Sequence, residues 1–144
     1  MEGHASEDMA GRLGLKNKFD SNVPMYLVGA PHPNRERLEA FLRYRPDEDY
    51  VTSAEVYQEI LHRFVAIDRR RAIEDAFMLL DDLVVSVFPV QRSDVDAPRE
   101  IAVLQPELSA RDCLHLAVMQ ANGVDRILTF DNGFSEQMGV TRLP

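Results

Sequence analysis

Cysteine is nearly absent from this chain of 144 residues. A lone Cys113 excludes an internal disulfide framework and a cysteine-based zinc centre. Set inside an apolar helical pattern, it reads as a small core residue. Long apolar runs are missing as well. The longest, Leu83 to Val90, is interrupted by Ser86 and Pro89 and falls far short of the roughly 20 residues a membrane-crossing helix needs. The opening stretch, Met1 to Lys18, carries Glu2, Glu7 and Asp8 without an apolar h-region, so it does not read as a secretory signal, and a cytoplasmic location is expected. Neither G-x-G-x-x-G nor G-x-x-x-x-G-K-[ST] occurs, which argues against a nucleotide-binding module. Lysine is scarce: of 16 basic residues only Lys16 and Lys18 are lysines, and the rest are arginine, the better bidentate ligand for phosphate. Positive charge is also outweighed. With 24 acidic residues the net charge is −8, which disfavours nonspecific binding of polyanions. A nucleic-acid substrate would need metal ions to offset part of that repulsion.

What is present fits one soluble folded domain: 45% hydrophobic and 28% charged residues, with no internal repeat and no low-complexity tract. Residues 1–18 are polar and without periodicity, and read as a flexible leader or a start-site extension; residues 19–144 read as the domain. A short strand ends at Phe19-Asp20, and Asn22 caps a helix that tolerates Pro24 in its first turn and stops at Gly29. Leu38, Phe41 and Leu42 place a second helix over Arg35 to Tyr44. Tyr50 to Thr52 reads as a strand feeding a helix whose apolar stripe is Val56, Ile60, Phe64 and Ile67, with Thr52 and Glu55 at capping-box spacing. A further helix is expected from about Asp68 to Asp82. Leu83 to Val90, short and rich in β-branched residues, is expected to be a strand buried on both faces, and Ser93 to Leu104 a weaker helix. Ser109 to Ala121 is the most apolar helix, stopped by Gly123. Arg126 to Phe130 reads as a strand, Asp131 to Gln137 as a helical turn, and Val140 to Leu143 as a last strand. Short strands alternating with helices predict an α/β fold: a three-layer α/β/α sandwich on a mainly parallel sheet of about four to five strands.

In such a sheet ligands bind beyond the carboxyl ends of the strands. Asp20 ends the first strand, Asp131 ends the fourth, and Asp112 opens the buried helix at an edge of the core. Glu59 borders the Val56/Ile60/Phe64 stripe, whereas Glu55 points away from it. Each acid alone could be a helix cap or a turn residue. As a set, carboxylates crowded at low dielectric repel one another, and a hard divalent cation with oxygen ligands resolves that repulsion.

Four segments in order resemble the motifs of PIN domains: Phe19-Asp20-Ser21-Asn22, Thr52-Ser53 through Val56 to Glu59, Ser109-Ala110-Arg111-Asp112-Cys113-Leu114-His115-Leu116-Ala117, and Leu128-Thr129-Phe130-Asp131-Asn132-Gly133-Phe134. Length and spacing look most like VapC, the toxin ribonucleases of VapBC toxin–antitoxin pairs. The resemblance implies an endoribonuclease dependent on Mg²⁺ or Mn²⁺ that leaves a 5′-phosphate and a 3′-hydroxyl. Asp20, Glu59, Asp112 and Asp131 would form its acidic pocket, with Asp20 and Asp112 as the principal metal ligands. Ser21, Asn22 and Thr129 would orient the carboxylates. A homodimer and a VapB-type antitoxin covering the pocket are implied as well. The chain departs from the family in the polar stretch ahead of Asp20, where relatives carry an apolar run, and that polarity is expected to weaken the first strand.

His115 matches a family motif, but a lone histidine on a buried helix reads first as a hydrogen-bonded core residue. Arg69-Arg70-Arg71 reads as a solvated helix start that could touch phosphates. A receiver-type phosphoacceptor domain would share the layout but needs an Asp after the third strand and a late Lys. Here that strand ends Phe88-Pro89-Val90, and no Lys follows Lys18. The alternative that stays open is a PIN-like domain that binds RNA or a protein partner without cleavage.

Overall fold

The computed structural model describes residues 16–45, 47–131 and 141–143. Among the described residues five strands form one sheet: β1 (Lys16–Phe19), β2 (Asp49–Ser53), β3 (Ser86–Phe88), β4 (Arg126–Leu128) and β5 (Thr141–Leu143). Their order is β3-β2-β1-β4-β5 and every neighbouring pair is parallel. The helices are α1 (Asn22–Val28), α2 (Pro33–Arg43), α3 (Ala54–Ala66), α4 (Arg71–Leu83), α5 (Arg92–Asp96), α6 (Pro98–Leu104) and α7 (Ala110–Ala121). The expected α/β/α sandwich is therefore present, on a wholly parallel sheet. One face of the sheet packs Phe19, Tyr50 and Leu128 against α1 to α4 through Val23, Leu38, Val56, Ile60 and Leu80. On the opposite face Val51 and Ile127 pack against Cys113, Leu116 and Met119 of α7. Among the described residues no helix is long and apolar enough to cross a membrane.

Strand β1 is the middle strand although two of its residues are Asn17 and Lys18, both wholly buried. Alternation sends them to opposite faces, and each finds a polar partner there. Asn17 Nδ2 donates to Glu48 Oε1 at 2.8 Å, and Lys18 Nζ lies 3.2 Å from His115 Nδ1. Glu48 also pairs with Arg126 of β4 at 3.0 Å and with Arg45 at 3.1 Å, so one carboxylate ties β1 and β4 together. The polarity expected to weaken the strand is thus met on its donor side, by Glu48 and His115, while Asn17 Oδ1 stays buried without a hydrogen-bond partner. Lys16 to Lys18, which the sequence reading gives to the leader, belong to this strand.

Several local expectations are corrected. Asn22 is not a cap but the first residue of α1; Ser21 holds the cap position without a side-chain bond, which frees the Asn22 amide for other partners. The Thr52/Glu55 capping box does not form, because Thr52 lies in β2 and its hydroxyl donates across the sheet to the Phe19 carbonyl at 3.2 Å. The strand expected over Leu83 to Val90 shrinks to Ser86–Phe88 at the sheet edge, with Ser86 and Val87 exposed, not buried on both faces. Pro98 cannot continue a helix it enters from Asp96, so the segment expected as one helix is two, α5 and α6. The helix expected from Asp68 begins at Arg71, after Asp68 takes a left-handed φ of 58°. Strand β4 stops at Leu128, two residues short of the Phe130 expected. The helical turn expected over Asp131 to Gln137 lies, from Asn132 onward, outside the described residues.

Candidate active site

The parallel sheet carries the ends of β1 and β4 to one edge, where α1 and α7 begin and α3 passes. Asp20 follows β1 directly. Its amide donates to Leu128 O at 3.0 Å, so the strand pairing itself holds Asp20 beside the end of β4. Asp20 Oδ1 accepts from the Ser21 amide at 2.7 Å, and Oδ2 accepts from the Thr129 hydroxyl at 2.7 Å. The Asn22 amide, released from capping, donates to Thr129 Oγ1 at 3.1 Å and lies 3.5 Å from Asp20 Oδ2. Thr129 Oγ1 in turn accepts from the Asp131 amide at 3.0 Å. Ser21, Asn22 and Thr129 therefore all bear on the orientation of Asp20, and Thr129 links it to Asp131.

Glu59 sits in the second turn of α3 and is 4% exposed, and His115 on α7 is buried against it. The His115 Nε2 atom lies 3.1 and 3.2 Å from the two Glu59 oxygens and 3.9 Å from Asp20 Oδ1. Asp112 stands in the first turn of α7, its backbone amide donating to the Ser109 hydroxyl at 3.1 Å, as its cap spacing predicts. Burial first, and then the charge of Asp131, push the Asp112 carboxyl above its ordinary value. Burial and the neighbouring Glu59 do the same to Glu55, which lies outside the acidic pocket.

Asp20, Glu59, Asp112 and Asp131 line a single polar pocket of about 140 Å³, together with Ser21, Asn22, Arg111 and His115. A ligand atom each from Asp20, Glu59 and His115 falls within 4.8 Å of the others. A donor set dominated by carboxylate oxygen, in a pocket with room for an ion and a few waters, fits a hard divalent cation.

Two pocket residues, His115 and Arg111, and Lys18 packed against His115, are not among the functional residues the sequence points to. His115 is a buried, hydrogen-bonded histidine as expected, but its partner is a pocket acid; its place three residues after Asp112 on one helix face was the available signal. Arg111 holds its guanidinium 3.6 Å from Glu59 at the pocket mouth. Lys18 lies beneath the pocket. Burial lowers its ammonium to about 8, and Asp20, Glu59, Glu55 and Asp112 resist that fall. The signal for Lys18 was strand alternation, which puts residues 18 and 20 on one face. Arg69, Arg70 and Arg71, by contrast, are exposed at the start of α4 and line a different hollow with Asp68 and Asp75.

Comparison with known proteins gives concordant matches. The family model of the PIN domain matches residues 19–138. Ribonuclease VapC13 of Mycobacterium tuberculosis is 46% identical over 126 residues, covering 86% of this chain and 96% of that protein. Ribonuclease VapC23 of the same species is 41% identical over 115 residues, covering 78% and 90%. Among solved structures, the sarcin-ricin loop cleaving toxin VapC20 of M. tuberculosis superposes with a TM-score of 0.68 at 22% identity, over 80% of this chain and 89% of that one. VapBC2 of Rickettsia felis, bound to a promoter DNA fragment, superposes at 0.69 with 9% identity, over 88% and 96%. The last two likenesses speak to the fold alone.

Proposed function

Because the chain belongs to the PIN domain family, and within it to the VapC ribonucleases, we propose that it is a metal-dependent endoribonuclease, the toxin of a type II VapBC toxin–antitoxin pair. The observation that carries this reading is the convergence of Asp20, Glu59, Asp112 and Asp131 on one small pocket at the carboxyl edge of the sheet. Asp20 and Asp112 are the principal ligands for Mg²⁺ or Mn²⁺, and Glu59 and Asp131 complete the site directly or through water. When bound, the ion offsets the repulsion among the acids and supplies Lewis-acid activation of water and the phosphodiester.

The chain's own residues do the rest. Ser21, Asn22 and Thr129 hold the Asp20 carboxylate in one orientation, which keeps its oxygens aimed into the pocket. Arg111, exposed at the mouth, is placed to meet a backbone phosphate that the acidic surface would otherwise repel. A VapB-type antitoxin and a homodimer belong to the same proposal. Structural neighbours of this chain include a toxin–antitoxin complex from Klebsiella pneumoniae and FitAB bound to a DNA fragment, in keeping with an antitoxin partner.

The test is incubation of total RNA with the purified protein in Mg²⁺, in Mn²⁺ and in EDTA. Discrete fragments that disappear with EDTA are expected. A folded, metal-binding protein that cuts none of the RNA classes would replace this reading with a PIN domain that acts by binding alone.

A further inference from the structure

Lysine is almost never fully buried unless paired, yet Lys18 is wholly buried in the middle strand, in register with Val51 on one side and Ile127 on the other. Its Nζ lies 3.2 Å from His115 Nδ1 and 3.4 Å from the Phe19 carbonyl. Across the imidazole ring, His115 Nε2 meets both Glu59 oxygens at 3.1 and 3.2 Å. A chain of ammonium, imidazole and carboxylate thus runs along the floor of the acidic pocket. An ammonium has three donors and no acceptor, so His115 Nδ1 must accept. The ring proton then sits on Nε2, on the side that faces the acids.

We propose that Lys18 is a positioning residue of the acidic pocket: its ammonium fixes His115 in the tautomer that donates from Nε2 to Glu59, and its charge, lying behind Asp20 and Glu59, weakens the pocket's hold on a divalent cation while keeping Glu59 in place. The inference rests on reading the pocket as a divalent-ion nuclease site. In this tautomer Nε2 has no lone pair for an ion. Of the clustered Asp20, Glu59 and His115, only the two carboxylates are then ligands, and His115 is a donor to one of them. A lysine serving only to fill the sheet would behave differently. Its replacement by an apolar side chain of similar volume would leave the pocket untouched.

The test uses the full chain. Nitrogen-15 NMR of the metal-free protein, with the His115 signals assigned from a His115→Gln spectrum, reads the tautomer directly: Nε2 protonated and Nδ1 bare is expected. In Lys18→Met the Nδ1 signal shifts. Calorimetric titration with Mn²⁺ alone shows binding several-fold tighter than in the wild type, because a like charge has been removed. RNA cleavage by the same variant falls in kcat by about 10- to 100-fold with KM nearly unchanged, and Lys18→Arg recovers part of the loss. A wild-type His115 protonated on Nδ1 would overturn the proposal, as would a Lys18→Met protein with unaltered His115 signals, Mn²⁺ affinity and kcat. If Lys18→Met does not fold, the wild-type tautomer decides. If the wild type cleaves no RNA, the functional reading fails, while the NMR and Mn²⁺ results still judge Lys18.

Discussion

The Thr129 hydroxyl donates to Asp20 Oδ2 over 2.7 Å, joining the residue after β4 to the residue after β1 across 109 positions of sequence. The same oxygen accepts from the Asp131 amide and the Asn22 side chain, so a single buried hydroxyl holds two pocket acids in register. Replacing it with the near-isosteric valine removes these bonds without opening a cavity. Thr129→Val is expected to lose about 1–3 kcal/mol of stability, from the unsatisfied groups left behind. It should also lose about 10- to 100-fold in kcat, from the freed Asp20 carboxylate. Denaturant melts and steady-state cleavage check the two effects separately; a variant with wild-type kcat would show that Asp20 needs no such anchor.

At the opposite edge of the sheet, Glu48 predicts a pH dependence of stability. Burial acts to raise its carboxyl, but hydrogen bonds from Asn17 and Arg45 and the charge of Arg126 outweigh it and hold the group below its ordinary value. A depressed folded value means that the stabilisation is complete above the unfolded carboxylate value of about 4.3 and is lost as pH falls through the folded one. Glu48→Gln should therefore be less stable than wild type by about 1–3 kcal/mol at neutral pH. The gap should narrow from neutral to strongly acid pH and close only below the depressed folded value, where both side chains are uncharged. Urea melts at the two pH values measure it, and a gap that persists undiminished in acid would contradict the assignment.

Arg111 separates binding from chemistry. Its side chain is largely exposed, and its contact with Glu59 is 3.6 Å, too long for a strong structural ion pair. Arg111→Ala is expected to raise KM for RNA by about 3- to 10-fold, equivalent to one lost phosphate contact, and to flatten the salt dependence of binding. Its melting temperature should stay within about 2 °C of wild type. A kcat loss with unchanged KM would instead place Arg111 in the chemical step.

The acids of the pocket were legible because each sits where a topological rule looks: Asp20 and Asp131 just past strands, Asp112 at a helix start, Glu59 beside an apolar stripe. Parallel alternation of strands and helices gave the layers. What stayed hidden depended on partners distant in sequence. Asn17 and Lys18 looked like flaws in a central strand because their partners, Glu48 and His115, lie 31 and 97 positions away. Asn22 and Thr52 both fit local capping patterns, yet tertiary hydrogen bonds to Thr129 and to the Phe19 carbonyl claim their side chains. The edge position of β3 follows from strand order, which composition does not encode; its β-branched residues suit an exposed edge as well as a buried strand.

The central claim is that the four-acid pocket cuts RNA, and cleavage of one defined RNA by wild type, Asp20→Asn and Asp112→Asn, each verified as folded by circular dichroism, tests it most directly. In Mn²⁺ the wild type should yield fragments ending in 5′-phosphate and 3′-hydroxyl, and both variants should fall by about 100-fold or more in rate. Variants that cut at the wild-type rate, or a wild type equally active in EDTA, would contradict the account.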